Sequence, residues 1–365
     1  MAAVRLKNLS LTLEIPDRAL AVVTGPVGCG KTMLLRLIAG LEKTPEGEIF
    51  LGEKRVSDLP PGERDVAMVF SQDALYPRLS IRENIAFGLK RRKFSQTETN
   101  RRVEDAAAVV GIAELLERRP AELSAVQRQR ASIARAIARQ PKVILLDEPW
   151  ANFDAATSAL MRADLRKLHE RLEATMIYAT RDASEAMALG ERIVVLREGR
   201  VEQEGSLAEV YEKPANLFVA GFLGAPPMNL IHGTLKLERE ALLFREANEG
   251  TIEVRLPLAG RAAAAELVGK PVVLGIRPEN VEIVSAGKGQ EPPDSFAALI
   301  DFMEMTGGSV TLHLQTGAHT VIARLSGGRE EPAGRRARFR FEAEKVHLFD
   351  LDSTRRMTER SPYYI

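Results

Sequence analysis

The chain has 365 residues, more than a single domain usually contains, which predicts two domains. Hydrophobic residues make up 45% and charged residues 28%, as in a globular protein, and the formal net charge of +1 argues against nucleic acid as a partner. The single cysteine, Cys29, excludes an intrachain disulfide and fits a reducing compartment. We expect neither a signal peptide nor a membrane-spanning segment, so that any membrane role depends on a partner.

The first part of the chain predicts an α/β domain. The apolar run Leu20–Thr24 predicts a strand, and after a Gly-rich turn Thr32–Ala39 predicts a helix that ends at Gly40. A stretch rich in Arg and Ala, about Ile81–Glu117, predicts a helical insertion. Further strands are predicted by runs whose apolar character on both faces is typical of a parallel sheet covered by helices: Val66–Phe70, Val143–Leu146, Met176–Ala179 and Ile193–Leu196.

The second part of the chain changes in composition. Gly and Pro concentrate in Gly221–Asn229, which predicts a linker. Beyond it, strand-like segments separated by turn residues predict a small β-barrel or sandwich: Ile252–Leu256, Val272–Ile276, Val281–Val284, Val310–Leu314 and Thr320–Arg324. Arg335–Glu342 alternates Arg with Ala and Phe, which favours a half-exposed strand over a nucleic-acid site. The predicted domains are residues 1–224, with a helical subdomain at about 74–137, and residues 229–365.

The turn between the first predicted strand and helix has the sequence GPVGCGKT, which fits G-x-x-x-x-G-K-[ST] in the required strand–loop–helix context. Its glycines allow backbone N–H groups to turn inward and form an anion site with the helix N-terminus. We predict a phosphate-binding loop in which Lys31 reaches the terminal phosphates and Thr32 places its hydroxyl on Mg²⁺. The candidate nucleotide ligands are Gly25, Pro26, Val27, Gly28, Cys29, Gly30, Lys31 and Thr32.

The apolar run Val143–Leu146 ends in two carboxylates, Asp147 and Glu148. In a phosphate-loop nucleotidase, the aspartate holds Mg²⁺ and an adjacent glutamate can polarise the attacking water. Alone, the pattern also fits an ordinary strand-to-turn boundary. Its place about 115 residues after the phosphate loop favours the nucleotidase interpretation.

With these motifs the sequence resembles the ATP-binding subunits of ABC transporters, and more closely the importer branch that serves maltose, oligosaccharides and glycerol 3-phosphate. The resemblance covers nearly the whole chain. It implies an α/β phosphate-loop ABC ATPase core with a helical subdomain, followed by an all-β, OB-like C-terminal domain of the TOBE type. Its other landmarks are Leu59–Gln72, Ala74–Leu89, Leu123–Arg130, Ala151–Asp154, Tyr178–Ala186, Pro226–Asn229 and Leu274–Val281.

The resemblance implies that the chain couples binding and hydrolysis of MgATP to uptake of a sugar, polyol or glycerol phosphate. Such subunits form dimers in which each ATP lies between the phosphate loop of one subunit and the signature motif of the other. The dimer docks on two membrane permeases as a peripheral protein at the cytoplasmic face of the inner membrane, and a solute-binding protein acts indirectly through the permeases. The implied permease contact lies near Ala74–Arg82.

The signature motif departs from the pattern of this family. Ser124 and Gln127 remain, but Ala125 and Val126 replace a pair of glycines. The resemblance implies that Ser124 and Gln127 contact the nucleotide of the other subunit, where the added Cβ atoms should crowd the γ-phosphate. Ser124 and Gln127 also satisfy a capping box, so a ligand role and a helix-capping role both remain open.

Three further positions differ from the family. Arg181 replaces the switch histidine; arginine stays protonated and has no acceptor, so it either contacts a phosphate or points to solvent. Ser71 holds the place of the Q-loop glutamine and Gln72 follows it, so the loop is shifted by one residue or its water and metal contact is lost. In addition, no aromatic residue precedes Phe50 to stack on adenine. The candidate catalytic residues are Glu148, Gln72 and Arg181, and the candidate metal ligands are Thr32, Gln72 and Asp147.

These departures leave two functions open. In the first, the chain is a motor subunit that hydrolyses MgATP, which the retained Lys31 and Glu148 favour. In the second, it is a nucleotide-binding structural or regulatory subunit without turnover, which the altered signature and Arg181 favour. Because a homodimer would carry each departure twice, we expect a heterodimer with a second ATP-binding subunit, with a homodimer as the alternative. A soluble ABC protein of translation or DNA repair is disfavoured, since such proteins usually carry two tandem cassettes.

Overall fold

The computed structural model describes residues 3–7, 12–44, 46–72, 74–91, 94–238, 241–257, 266–284, 294–327 and 333–357. The chain divides into two compact units, residues 1–210 and residues 211–365. Each unit has its own core of buried aliphatic and aromatic side chains. Among the helices that the structure describes, none has the length and apolarity needed to span a membrane.

The described part of the first unit forms two β-sheets and the helices around them. Its strands are β1 (Val4–Lys7), β2 (Leu13–Ile15), β3 (Leu20–Thr24), β4 (Glu48–Leu51), β5 (Lys54–Arg55), β6 (Val66–Val69), β7 (Val143–Asp147), β8 (Thr175–Thr180), β9 (Arg192–Arg197) and β10 (Arg200–Gly205). Its helices are α1 (Lys31–Ala39), α2 (Ile81–Arg91), α3 (Gln96–Val109), α4 (Ala125–Ile137), α5 (Ala155–Leu172) and α6 (Ala183–Leu189), and α7 (Leu207–Glu212) spans the division between the units.

A six-stranded sheet with the order β10-β9-β3-β8-β7-β6 forms the centre of the first unit. Its pairs are parallel except that of β9 with β10 at one edge. Every residue of β3, β7 and β8 is buried, because helices cover one face of the sheet and α1 together with β1, β2 and β4 covers the other. The predicted α/β core and its parallel strands are therefore confirmed.

A smaller antiparallel sheet with the order β2-β1-β4-β5 was not predicted from the sequence. Its strands are two to four residues long, and β2 alternates between buried and exposed residues. So short an alternation gives little periodic signal, and long-range pairing such as that of Val4 with Leu51 decides the structure.

The predicted helical insertion consists of two helices, α2 and α3, followed by short turns and α4; residues 92–93 lie outside the described residues. Ser95 starts α3, because its hydroxyl accepts a hydrogen bond from the backbone N–H of Glu98 at 3.2 Å. Buried residues of all three helices pack into the same core as one face of the six-stranded sheet, among them Ile85, Val103 and Ile133. The insertion is thus anchored to the α/β core through apolar contacts.

In the described residues of the second unit, two five-stranded antiparallel sheets share one hydrophobic core. Its elements are α8 (Leu217–Phe222), β11 (Asn229–Glu238), β12 (Ala241–Glu246), β13 (Glu253–Pro257), β14 (Pro271–Ile276), β15 (Val281–Val284), β16 (Ser295–Thr306), β17 (Ser309–Gln315), β18 (Thr320–Ser326), β19 (Arg336–Phe341) and β20 (His347–Asp350). The strand orders are β13-β12-β11-β14-β20 and β15-β19-β16-β17-β18. The predicted all-β domain is confirmed, and β19 is half exposed as expected, with Phe339 and Phe341 buried and Arg336 and Arg340 exposed.

One buried cation links the start of the second unit to its sheets. Arg277, 5% exposed, donates hydrogen bonds to the backbone carbonyls of Ala220, Leu223 and Tyr211, and its guanidinium lies 3.9 Å from the centre of the Tyr211 ring. Burial lowers the pKa of Arg277 from its ordinary value. The residues before β11 are therefore held by a charged donor from the segment that follows β14.

Candidate active site

The phosphate loop is shaped by glycines at which the backbone leaves the ordinary region. Gly25, Gly28 and Gly30 have φ angles of 155°, 80° and 107°. At Gly25 a Cβ atom would lie 2.2 Å from the carbonyl oxygen of Leu196, so only glycine fits between β3 and β9. The loop ends at Lys31, where α1 begins. The first backbone N–H groups of this helix have no partner within the helix, so they add to the anion site that the loop forms.

Lys31 is held over this loop. It is 5% exposed, and its ammonium donates hydrogen bonds to the carbonyl oxygens of Gly25 at 2.8 Å and Pro26 at 2.9 Å. The same nitrogen lies 3.8 Å from the sulfur of Cys29. The carbonyls are neutral acceptors, and phosphate oxygens would replace them readily because ionised acceptors form stronger hydrogen bonds.

Thr32 and Asp147 form a pair of oxygen ligands. Thr32 Oγ1 donates to Asp147 Oδ1 at 3.0 Å, although the two residues are 115 positions apart. Burial raises the pKa of Asp147 from its ordinary value, and the hydrogen bond from Thr32 and the charges of Lys31 and Arg36 oppose that rise. A hydroxyl and a carboxylate are the hard oxygen donors that Mg²⁺ prefers, so these residues fit the expected metal.

These side chains surround one cavity of about 410 Å³. Its size and its polar lining are suited to a small, highly charged ligand. It is lined by Val27, Gly28, Gly30, Lys31, Thr32, Met33, Arg36, Ser71, Asp147 and Glu148. The structure thus brings the predicted phosphate loop and both predicted carboxylates together.

Glu148 has a φ angle of 44°, an uncommon conformation for a residue with a side chain. Its backbone N–H donates to the carbonyl of Ala179 at 3.0 Å, which fixes the turn after β7. Its carboxylate Oε2 lies 3.8 Å from Nε of Arg181, and the side chains are 27% and 57% exposed. Arg181 therefore lies beside the candidate base and forms an ion pair with it. Backbone strain of this kind is common at functional sites.

A buried polar network holds the strand that leads to Arg181. Glu185 accepts hydrogen bonds from the hydroxyls of Tyr178 at 3.0 Å and Thr180 at 2.6 Å, and it pairs with Arg162 at 3.1 Å. Burial and the charge of Glu185 raise the pKa of Tyr178, which keeps the phenol neutral. The end of β8 and the start of α6 are thereby joined, which restricts the positions that Arg181 can take.

The altered signature motif forms a helix cap. Ser124 Oγ accepts from the backbone N–H of Gln127 at 3.3 Å, and Gln127 Oε1 accepts from the backbone N–H of Ser124 at 2.9 Å. Ala125 and Val126 are the first two residues of α4. The capping box that the sequence predicts is therefore present. Within the described part of the chain, Ser124 and Gln127 are not among the residues that line the cavity.

The Q-loop segment places Ser71, not Gln72, at the cavity. The carbonyl of Phe70 accepts a hydrogen bond from Gln129 Nε2 at 3.2 Å, which ties the end of β6 to α4. The Gln72 side chain is exposed, and Gln72 is not among the described residues that line the cavity. Ser71, and not Gln72, is therefore positioned to contact a ligand bound in the cavity.

Three lining residues, Met33, Arg36 and Ser71, were not among the predicted ligands. Arg36 follows Thr32 by four residues on α1, and residues four apart lie on the same helix face. The helix period could therefore have identified Arg36 from the sequence. Its guanidinium adds a second cation to the lining and pairs with Glu42 at 3.5 Å.

The parallel sheet, the phosphate loop at the end of β3 and the paired carboxylates at the end of β7 define a phosphate-loop nucleotide-binding protein, to which an all-β unit is joined. Comparison with family models gives three matches. The "ABC transporter" model matches residues 6–151, the "MalK OB fold domain" model residues 224–281, and the "TOBE domain" model residues 274–349.

Several relatives cover almost the entire chain. The "Uncharacterized ABC transporter ATP-binding protein YurJ" of Bacillus subtilis is 40% identical, over 93% of this chain and 92% of that protein. The "sn-glycerol-3-phosphate import ATP-binding protein UgpC" is 41% identical in Escherichia coli, over 95% and 94% of the two chains, and 40% identical in Chromobacterium violaceum, over 98% and 96%.

Solved structures resemble a little more than half of the chain. The dimeric ATP-binding cassette MJ0796, in a post-hydrolysis state bound to ADP and Pi, is 30% identical with a TM-score of 0.50, over 56% of this chain and 98% of that one. Clostridium perfringens cbiO1, part of the ABC transporter complex cbiONQ, is 25% identical with a TM-score of 0.53, over 57% and 90%. The chain belongs to the ATP-binding subunits of ABC importers of the sugar and glycerol-phosphate type.

Proposed function

We propose that this chain binds MgATP in the cavity at the phosphate loop and hydrolyses it to drive import of sn-glycerol 3-phosphate or a related sugar or polyol. The observation that supports ATP hydrolysis is the convergence of Lys31, Thr32, Asp147 and Glu148 on one cavity. The substrate class rests on the UgpC relatives, whose names state import of sn-glycerol 3-phosphate.

Each residue of the cavity has a distinct role in this proposal. Lys31 binds the terminal phosphates in place of its present carbonyl acceptors. Thr32 and Asp147 hold Mg²⁺, which compensates phosphate charge when bound. Glu148 orients the attacking water and accepts its proton, once it is released from Arg181.

The alternative of a subunit without turnover finds no support in the comparisons, and neither does the expected pairing with a different ATP-binding subunit. We propose instead a dimer of this chain, by analogy with the dimeric cassette MJ0796. The dimer would bind two permease subunits as a peripheral protein at the cytoplasmic face of the membrane. In that dimer Ser124 and Gln127 would face the nucleotide of the other subunit, as the family resemblance implies.

An exposed aromatic pair supports the proposed permease contact near Ala74–Arg82. The rings of Tyr76 and Phe87 lie 4.5 Å apart, and the residues are 42% and 38% exposed. The fully buried Asn84 holds the backbone of Tyr76 from both sides, accepting from its N–H at 2.7 Å and donating to its carbonyl at 3.1 Å. A rigid frame thus presents apolar surface that a helix of a permease could cover.

Steady-state hydrolysis of MgATP by the purified chain tests the catalytic part of the proposal, with Glu148→Gln as the contamination control. We expect turnover that the variant abolishes. Measurable ATP binding without turnover above the variant would contradict the motor function. The substrate is tested with the complex purified from native membranes and reconstituted in vesicles, where we expect ATP-dependent uptake of labelled glycerol 3-phosphate. Uptake of labelled maltose alone would select the sugar alternative, and uptake of neither compound would reject the proposed substrate class.

A further inference from the structure

The first unit contains a second cavity, of about 260 Å³, whose lining residues are all different from those of the phosphate loop cavity. Its walls come from the end of α3, from α4 and α5, and from Trp150. Trp150, Met161 and Leu165 are each 2% exposed and form an apolar floor together with Ile133. The volume lies just below the range of about 300–1,000 Å³ for sites of drug-sized ligands, so it suits a smaller occupant.

The rim of this cavity carries an excess of positive charge. Its charged residues are Arg130, Asp164, Lys167 and Arg171. Arg130 Nη2 lies 2.6 Å from Asp164 Oδ2, so these two charges neutralise each other. Lys167 and Arg171 are exposed, lie one turn apart on α5, and make no ion pair with any residue in the described part of the chain. Two neighbouring cations therefore remain available at the mouth of an apolar cavity.

The floor also carries an unsatisfied donor. The indole Nε1 of Trp150 is buried, and no hydrogen-bond acceptor lies within reach among the described residues. Because this nitrogen is covered by protein atoms, a ligand in the cavity does not reach it, and the charge of the rim alone sets the preference of the cavity. Two cations beside an apolar floor favour an anion, since charged donors form strong hydrogen bonds to a carboxylate.

We propose that this cavity is a binding site for a small organic anion, a carboxylate with a compact apolar body. The apolar body packs on Ile133, Met161 and Leu165, and the carboxylate lies beside the rim cations Lys167 and Arg171. Burial of the body supplies affinity, and the two cations select the anion over neutral or cationic analogues. The site goes beyond the proposed function, because none of its residues belongs to the nucleotide cavity.

Trp150 lines the cavity and is the only tryptophan of the chain, so the tryptophan fluorescence of the protein reports on this cavity. Titration of the full-length protein with cyclohexanecarboxylate, which does not absorb at the excitation wavelength, should produce a saturable change in tryptophan emission. Cyclohexylmethanol should bind at least tenfold more weakly, and cyclohexylmethylamine should produce no saturable change over the same concentrations. Absence of saturation with the carboxylate, or equal affinity for the alcohol, would overturn the proposal.

Two substitutions at exposed positions of α5 distinguish binding in this cavity from a nonspecific effect of the protein's charge. Lys167→Glu should weaken carboxylate binding about tenfold, whereas Arg166→Glu, a matched reversal on the same helix outside the cavity lining, should change it less than twofold. Equal effects of the two reversals would reject the site. Ala108→Phe, at an exposed lining position on α3, should fill the mouth and remove binding of both acid and alcohol; retained binding would place the ligand elsewhere.

Discussion

Replacing Arg181 by alanine should accelerate ATP hydrolysis modestly. Arg181 Nε lies 3.8 Å from Glu148 Oε2, and this ion pair must loosen before the carboxylate can orient the attacking water. The side chains are 57% and 27% exposed, so solvent screens the attraction and the pair is worth at most about 1 kcal/mol. Release of Glu148 can therefore raise the rate by no more than about fivefold.

Arg181→His should be faster than Arg181→Ala. The imidazole removes the ion pair and adds a neutral ring that can both donate and accept a proton, which arginine cannot. A single donor placed at the developing charge of a transition state is worth up to about 10²–10³-fold. The difference between the two variants therefore isolates the contribution of the imidazole from that of the freed carboxylate.

The assay is phosphate release at saturating MgATP, with Glu148→Gln as the background and Arg166→Ala as an exposed arginine control. A rate for Arg181→Ala that is tenfold or more below that of the unmodified chain would contradict this expectation. Arg181 would then stabilise the transition state directly, and its contact with Glu148 would be incidental to turnover.

Three further substitutions test other parts of the structure. Tyr76→Asp should weaken capture of the permeases without changing ATP affinity, because it charges the exposed aromatic pair; undiminished capture would exclude this docking surface. Asp147→Asn should abolish Mg²⁺-dependent turnover yet stabilise the fold at pH 7, because burial raises the pKa of Asp147 and so disfavours its ionised form. This gain should vanish as the pH falls through the raised pKa, where the native carboxyl is protonated, and a difference in urea midpoint that persists in acid would contradict it. Arg277→Met should lower the free energy of unfolding of the second unit by about 3 kcal/mol, because three carbonyls lose a buried charged donor. Urea unfolding measures this loss, with Arg336→Met as the exposed control. Equal urea midpoints for the two variants would show that the Arg277 network does not stabilise the unit.

The strongest predictions from the sequence concerned elements whose signal is local. The run Leu20–Thr24 is β3 to the residue, and Val143–Leu146 lies within β7, because strands buried on both faces are apolar throughout. The phosphate loop was predicted for the same reason, since its glycines and Lys31 are contiguous in the chain. The capping box of Ser124 and Gln127 is also local and is present as the pattern indicates.

The short strands β1, β2, β4 and β5 were missed, because pairing between distant segments, not periodicity, creates that sheet. The twelve-residue β16 was missed as well; its pairing shifts register between Ile300 and Phe302, which breaks the two-residue alternation on which a sequence prediction depends.

By itself, the sequence determined the phosphate loop, the acidic strand end and the division into an α/β part and a β part. Only the tertiary structure decided which side chains meet. Arg181 reaches Glu148 because β7 and β8 are neighbouring parallel strands whose carboxyl ends lie at the same edge of the sheet. Thr32, on the helix that follows β3, reaches Asp147 across 115 positions because β3 lies beside β8 in the same parallel sheet. Strand order is a property of the whole sheet, so no local pattern could indicate that the residue in place of the switch histidine pairs with the candidate base.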